Sequence, residues 1–295
     1  MSAIPSRPWE SLRVGDMDVR PVAPWRASLD LAFDATPLGT RLAKRRHSGP
    51  LVVQRALYPE GPSACHAIVL HPPGGIAGGD DLVISASAGP SAHAVLTTPG
   101  ASKVYKSAGA AASQRVRLEA ASQACIEWLP QETIVFDAAD ASLALEIDLR
   151  EGGRAIAWEI TTLGRKAMGE TFTSGRLRTR FVVTHEGATI LYEVGQVRGA
   201  SPALESPTGW RGARACATMI VAGHVIDDAL LDACRDALAG AGGTAAATRL
   251  TPVLLVVRYL GPTAAHARAA FSAVWERLRP AVAGRPAIHP RIWST

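Results

Sequence analysis

From Trp25 to about Val197 the chain alternates apolar and polar residues with a period of two, which is the spacing that sends successive side chains to opposite faces of a pleated strand. The run Leu143-Ala144-Leu145-Glu146-Ile147-Asp148-Leu149 puts Leu143, Leu145, Ile147 and Leu149 on one side and the acids on the other. Arg115-Val116-Arg117-Leu118-Glu119 repeats the pattern. Such strands bury one face and wet the other. Turn residues divide them: Gly89-Pro90 between 82–88 and 92–98, Glu151-Gly152-Gly153 before 155–161, and Glu186-Gly187 between 181–185 and 189–194. The last two read as hairpins, while Gly89-Pro90 breaks the runs on either side of it. The expected fold is mainly β, with antiparallel strands in a stacked β-helix-like or sandwich arrangement.

Two helices are expected near the C-terminus. The first spans about 228–239, with Asp227 as N-cap and Gly240 as terminator. The second spans about 264–278, capped by Thr263 and stopped by Pro280, with Phe271, Val274, Trp275 and Leu278 on its inner stripe. Residues 253–259 between them suit a buried strand. Residues 1–24, with Pro5, Pro8, Pro21 and Pro24 among scattered charges, read as a loose extension. No repeat or linker divides the remainder, so residues 25–295 are taken as one domain.

Two Gly/Pro-rich loops interrupt the strands. The first is His71-Pro72-Pro73-Gly74-Gly75-Ile76-Ala77-Gly78-Gly79-Asp80, and the second Thr97-Thr98-Pro99-Gly100-Ala101-Ser102-Lys103. Prolines fix φ and glycines permit positive φ, so both specify an irregular, closely approached backbone. Thr98-Pro99-Gly100-Ala101 has Pro and Gly where a type II turn places them. The phosphate-cradling G-x-x-x-x-G-K-[ST] pattern is absent, as are H-E-x-x-H and G-x-S-x-G.

Charged residues make up 19% of the chain and hydrophobic ones 47%, which leaves spare apolar surface for a protein partner. The net charge of +5 is spread along the sequence. Its one dense cluster, Arg41 to Arg46, has no aromatic residue interleaved and reads as a solvated segment rather than a nucleic-acid site. Cys65, Cys125, Cys216 and Cys234 lie far apart, which suits reduced thiols in a cytoplasm and indicates neither a disulfide framework nor a zinc knuckle. No run approaches the ~20 apolar residues that cross a bilayer, so no membrane partner is expected. The eight histidines form no H-x-H or H-x-x-x-H pair. Cys65 and His66 point to opposite faces of a strand and close no coordination shell alone.

Several segments, in order, carry a likeness: Gly49-Pro50-Leu51-Val52-Val53-Gln54 with Leu57-Tyr58-Pro59-Glu60, Cys65-His66, the two glycine loops, and Glu127-Trp128-Leu129-Pro130-Gln131-Glu132. Leu163-Gly164-Arg165 with Gly169-Glu170-Thr171-Phe172 follows, then Leu278-Arg279-Pro280 and Pro290-Arg291-Ile292-Trp293. Together they resemble the UreD (also UreH) family of urease accessory proteins over almost everything after residue 24. The resemblance implies a non-catalytic, mainly β protein with two helices and no tightly bound cofactor. It also implies three partners: a helical UreF-type accessory protein, a UreG-type GTPase and apo-urease, with Ni²⁺ as transient cargo.

An ion in transit must not fall into a tight sulfur and imidazole site, so weak oxygen ligands suit a passage better. Asp80, Glu159 and Glu170 are the candidate ligands. His71, Gly74, Gly75, Gly78, Gly79, Pro99, Gly100, Ser102 and Lys103 are candidates for the passage loops. The competing expectation is that Asp80 caps a turn and Glu170 pairs with an arginine. A reading from another class is a β-rich hydrolase using Asp80, His71 and Lys103. The terminal Pro290-Arg291-Ile292-Trp293 is expected to dock on the body.

Overall fold

The computed structural model describes residues 24–294, so the N-terminal extension expected for residues 1–24 lies, but for Pro24, outside the described residues. The strands in chain order are β1 (Arg26–Thr36), β2 (Gly39–Ser48), β3 (Val52–Leu57), β4 (Cys65–Leu70), β5 (Asp81–Ala88) and β6 (His93–Thr97). They continue as β7 (Ser102–Val104), β8 (Ala112–Ala120), β9 (Cys125–Trp128), β10 (Thr133–Val135), β11 (Asp140–Leu149) and β12 (Arg154–Leu163). After β13 (Arg176–His185), β14 (Ala188–Arg198) and β15 (Ala215–Ala222) comes helix α1 (Asp228–Ala237). β16 (Thr244–Thr251), β17 (Leu254–Gly261) and helix α2 (Ala264–Ala283) complete the regular elements.

The strands form two facing sheets. One runs β14-β13-β11-β8-β5-β1-β2, the other β16-β17-β15-β12-β9-β6-β4-β3, with β7 and β10 attached beside β12. The chain is mainly β, as the alternation requires, but the pairing is mixed. β1, β5, β8, β11 and β13 are parallel neighbours, as are β4, β6, β9 and β12. Each coil gives one strand to each sheet and the next stacks on it, as in a β-solenoid. Antiparallel pairs finish the edges, including the Glu186-Gly187 hairpin of β13 and β14 and the β15-β17-β16 meander.

The hairpin expected at Glu151-Gly152-Gly153 is an arch, and so is the break at Gly89-Pro90. Gly89–Ala92 and Arg150–Gly153 carry the chain from one sheet to the other, as does 121–124. The three arches stack through backbone hydrogen bonds, Ala121 N to Ala88 O and Arg150 N to Ala120 O at 2.9 Å each. Each has a left-handed residue at the same position: Ser91, Gln123 and Gly152, with φ of 58°, 58° and 68°. A Cβ on Gly152 would sit 2.0 Å from the Gln123 side-chain amide, so a larger residue there would push that side chain aside. Period two reports that one face is buried; it does not report strand direction.

Between the sheets lies the larger core, including Leu29, Leu31, Phe33, Val116, Ile126 and Ile147. A second core covers the outer face of the β12 sheet, where Trp158, Met219 and Val257 meet Phe271, Val274, Trp275 and Leu278 of α2. Asp227 and Thr263 cap the helices as expected, accepting from Leu230 N and His266 N. α2 does not stop at Pro280. That residue lies inside the helix near its end, with its ring exposed, and the helix continues until Gly284 at φ 69°. Inward-facing Leu278, Arg279 and Val282 hold the last turn in place although Pro280 donates no backbone hydrogen bond.

The tail docks as expected. Trp293 stacks near Trp158 and Trp275, with ring centroids 5.6 and 5.8 Å away, and donates to Thr97 Oγ1 at 2.8 Å. No helix of the described residues is long and apolar enough to cross a membrane.

Candidate functional site

Polar residues occupy positions of the sheet interior where the alternation calls for apolar ones. On β8, Gln114 shares the inward phase of Ala112, Val116 and Leu118, and on β12 Glu159 shares that of Ala155 and Ala157. Thr218 of β15 lies opposite Glu159, and Arg258 of β17 lies opposite Thr218, so a polar row crosses three strands. These side chains leave space that apolar packing would fill.

Two cavities result, of about 220 and 230 Å³. The first is lined by Leu145, Phe181, Glu193, Cys216, Thr218 and Arg258 among others, the second by His71, Gly74, Ser102, Trp128 and the Thr98–Ala101 turn. Gln114 and Glu159 are in the wall of both. The cavities therefore meet at one amide and one carboxyl. At the far side of the first cavity, Arg258 of one sheet binds Glu193 of the other, donating at 2.6 Å, and also donates to Thr218 Oγ1 at 3.2 Å.

Glu159 accepts a hydrogen bond of 2.8 Å from the Trp128 indole. Burial pushes its pKa up to about 7, against the lowering effect of that hydrogen bond. The carboxyl touches cavity space yet is surrounded by protein, so it exchanges a proton near neutrality. His71 Nε2 is buried with no hydrogen-bond partner among the described residues, and burial lowers the ring's pKa against the pull of Asp80.

The expected site residues separate into two groups. His71, Gly74, Pro99, Gly100, Ser102 and Glu159 line the second cavity. Gly75, Gly78, Gly79, Asp80, Lys103 and Glu170 are not in the wall of either. Asp80 accepts from Trp25 N at 2.8 Å and Ala77 N at 2.9 Å, which closes the glycine loop. Glu170 pairs with Arg165 and accepts from Asp137 N. Lys103 joins the two loops through its backbone: its carbonyl accepts from Ile76 N at 2.7 Å. Gly75 packs beneath Tyr105, whose ring a Cβ there would meet at 2.3 Å. The type II turn expected at Thr98–Ala101 is absent, because Gly100 does not take positive φ; Thr98 instead donates through its hydroxyl to Gly100 O at 3.2 Å. His71, Asp80 and Lys103 share no side-chain hydrogen bond among the described residues.

A second polar cluster lies on the opposite face of the β12 sheet; Glu60, His66, Glu127 and Arg279 each fall in a segment that carries the family likeness, but nothing in the sequence shows that they meet. Arg279 of α2 is fully buried and donates to Glu60 at 2.7 and 2.9 Å and to Glu127 at 3.0 and 3.2 Å. Glu127 also accepts from the Trp275 indole at 2.7 Å and pairs with His93 at 2.7 Å, while Glu60 pairs with His66 at 2.6 Å. Burial would raise the Glu60 carboxyl, but His66 and Arg279 outweigh it and hold the pKa at about 2.

His93, Cys125 and Glu127 form the one group among the described residues close enough to hold a metal ion. Glu127 is already engaged by a histidine, an indole and a guanidinium, whose positive charge repels a cation. Burial, with the nearby Glu127 charge, pushes the Cys125 thiol far up, which works against thiolate formation there. The cluster ties β6 and β9 to α2 instead.

Residues 26–294 match the family described as UreD urease accessory protein. Curated relatives agree along nearly their whole length. The chain is 49% identical to the urease accessory protein UreD of Azoarcus sp. (strain BH72) over 271 residues, covering 92% of this chain and 94% of that one. It is 48% identical to the protein of the same name from Dechloromonas aromatica (strain RCB), covering 92% and 95%, and 45% identical to that of Janthinobacterium sp. (strain Marseille), covering 92% of each. With the stacked coils, the two helices and matches of this extent, the chain belongs to the UreD urease accessory protein family.

Proposed function

We infer that the protein is a non-catalytic urease maturation factor of the cytoplasm, through which Ni²⁺ passes on its way to the apo-urease active site. In this reading it binds a UreF-type helical accessory protein, which with it recruits a UreG-type GTPase, and the assembly docks on apo-urease. Energy and destination come from the partners. The observation that carries the passage is the pair of cavities meeting at Gln114 and Glu159 between the sheets. The few polar groups set in their mainly apolar walls offer amide, hydroxyl and carboxyl oxygens, which bind a borderline cation weakly enough to release it. Of the candidate acids, Glu159 has the position for this role. Asp80 and Glu170 are committed to loop closure and to Arg165.

The test is Glu159→Leu, which fills the junction with an apolar side chain. Co-expressed with urease and its accessory proteins, the variant should assemble the same complex yet leave urease with several-fold less nickel. Wild-type nickel content in a complex of normal composition would refute the passage through Glu159.

A further inference from the structure

The solvent face of the seven-stranded sheet carries more positive charge than its own acids neutralise. Arg115 and Arg117 of β8 and Arg180 of β13 share Glu146, while Arg176 and Arg178 of β13 share Asp140. Five guanidinium groups thus divide two carboxylates. On the adjoining edge strand, Arg198 lies directly opposite Arg176 in the antiparallel register, and its exposed side chain has no partner among the described residues. Like charges facing each other across a strand pair oppose folding. An isolated protein gains nothing from the arrangement; an anionic partner relieves it.

The same face of β14 ends in exposed apolar side chains, Tyr192 at 67% and Val194 at 61%. A cationic field beside an open apolar strip has the composition of a protein interface, in which arginine and tyrosine are the enriched residues. Planar guanidinium forks, already oriented by Asp140 and Glu146, suit bidentate capture of carboxylates. A nucleic acid would meet those two fixed negative charges and leave Tyr192 and Val194 without apolar contacts. A second copy of this face would be repelled.

We propose that this sheet face is the docking surface for an acidic protein surface of the maturation assembly, with Arg176, Arg178 and Arg198 as its charged anchor and Tyr192 with Val194 as its apolar one. The inference rests on the assembly role stated above but not on metal passage. It is tested by measuring the affinity of the purified protein for apo-urease and for each accessory protein encoded with it, at low and high salt. Arg178→Glu/Arg198→Glu should weaken at least one of these interactions about tenfold or more and flatten its salt dependence. Arg277→Glu, an exposed reversal on α2, should not. Arg178→Gln/Arg198→Gln should give an intermediate loss, and unchanged melting of the variants separates docking from folding.

Undiminished affinity of the double reversal for every one of these proteins would overturn the proposal. So would duplex DNA or anionic vesicles binding the wild type more tightly than any of the proteins and losing that binding on reversal. A Glu159→Leu protein that docks normally but delivers no less nickel removes the passage and leaves this surface standing.

Discussion

Replacing Arg279 with leucine strands two carboxylates in the interior, and the consequence should depend on pH with a sign the structure fixes. The guanidinium is fully buried, and it is the cation held between the Glu60 and Glu127 side chains, which are 3% and 0% exposed. Removing one partner of a buried ion pair costs about 3–5 kcal/mol. In the wild type, Glu60 falls from an ordinary 4.5 to about 2, because its partners outweigh burial. A shift of that size contributes on the order of 3 kcal/mol, fully present above pH 4.5 and lost as the pH falls through 2. Without Arg279, burial weighs more heavily against the histidines that remain beside Glu127 and Glu60, so both carboxyl pKa values rise. A carboxyl raised above its unfolded value stabilises at low pH and loses that contribution as the pH climbs through the raised value. The deficit of Arg279→Leu should therefore be largest near pH 7 and shrink toward pH 5, as measured by urea unfolding across that range. Glu60→Leu/Glu127→Leu/Arg279→Leu should recover much of the loss, since replacing a whole buried ionic group with apolar residues is often close to neutral. A deficit below about 1 kcal/mol at pH 7, or one independent of pH, would refute the claim that this cluster acts as a compensated charge network.

Two further outcomes follow from the geometry. Deleting residues 290–295 removes the Trp293 contacts with Trp158 and Trp275 and its bond to Thr97, and should cost about 2–3 kcal/mol, read as a lower melting temperature with partner binding retained. Because burial raises the Glu159 pKa from 4.5 to about 7, its contribution to stability is lost as the pH climbs between those values and is flat above them; the stability of Glu159→Gln relative to wild type should grow over that range and level off above pH 7, and the Trp128 fluorescence component should titrate near pH 7 only in the wild type.

Much of this architecture was legible in the sequence because it depends on local rules. The alternation at Leu143, Leu145, Ile147 and Leu149 gives the buried face of β11, and Asp227 and Thr263 cap the helices where hydroxyl or carboxylate oxygens precede apolar stripes. Glu186-Gly187 forms its hairpin because φ is positive at both residues, 52° and 80°. The sequence around 150–153 has the same turn chemistry yet makes an arch, since whether a chain folds back or crosses to another sheet depends on which strand lies beside it. Pro280 misled for a related reason: helix rules penalise its ring, and tertiary packing of Leu278 and Val282 overrides them.

The site was only half legible. Gln114 and Glu159 break the apolar phase of their strands, a signal present in the residues, whereas the loop acids Asp80 and Glu170 were chosen for polarity alone. The Arg279 cluster carries no local signature. Its charged members come from five separate segments, and each of them looks alone like an ordinary charged surface residue.

Glu60 and Arg279 are separated by 219 positions. During synthesis the coils that contain Glu60 and Glu127 leave the ribosome long before α2 does, with only His66 and His93 beside those acids. The nascent chain therefore cannot complete this charge network until α2 has emerged, and a product truncated before α2 keeps the core between its sheets but leaves the outer face of the β12 sheet uncovered.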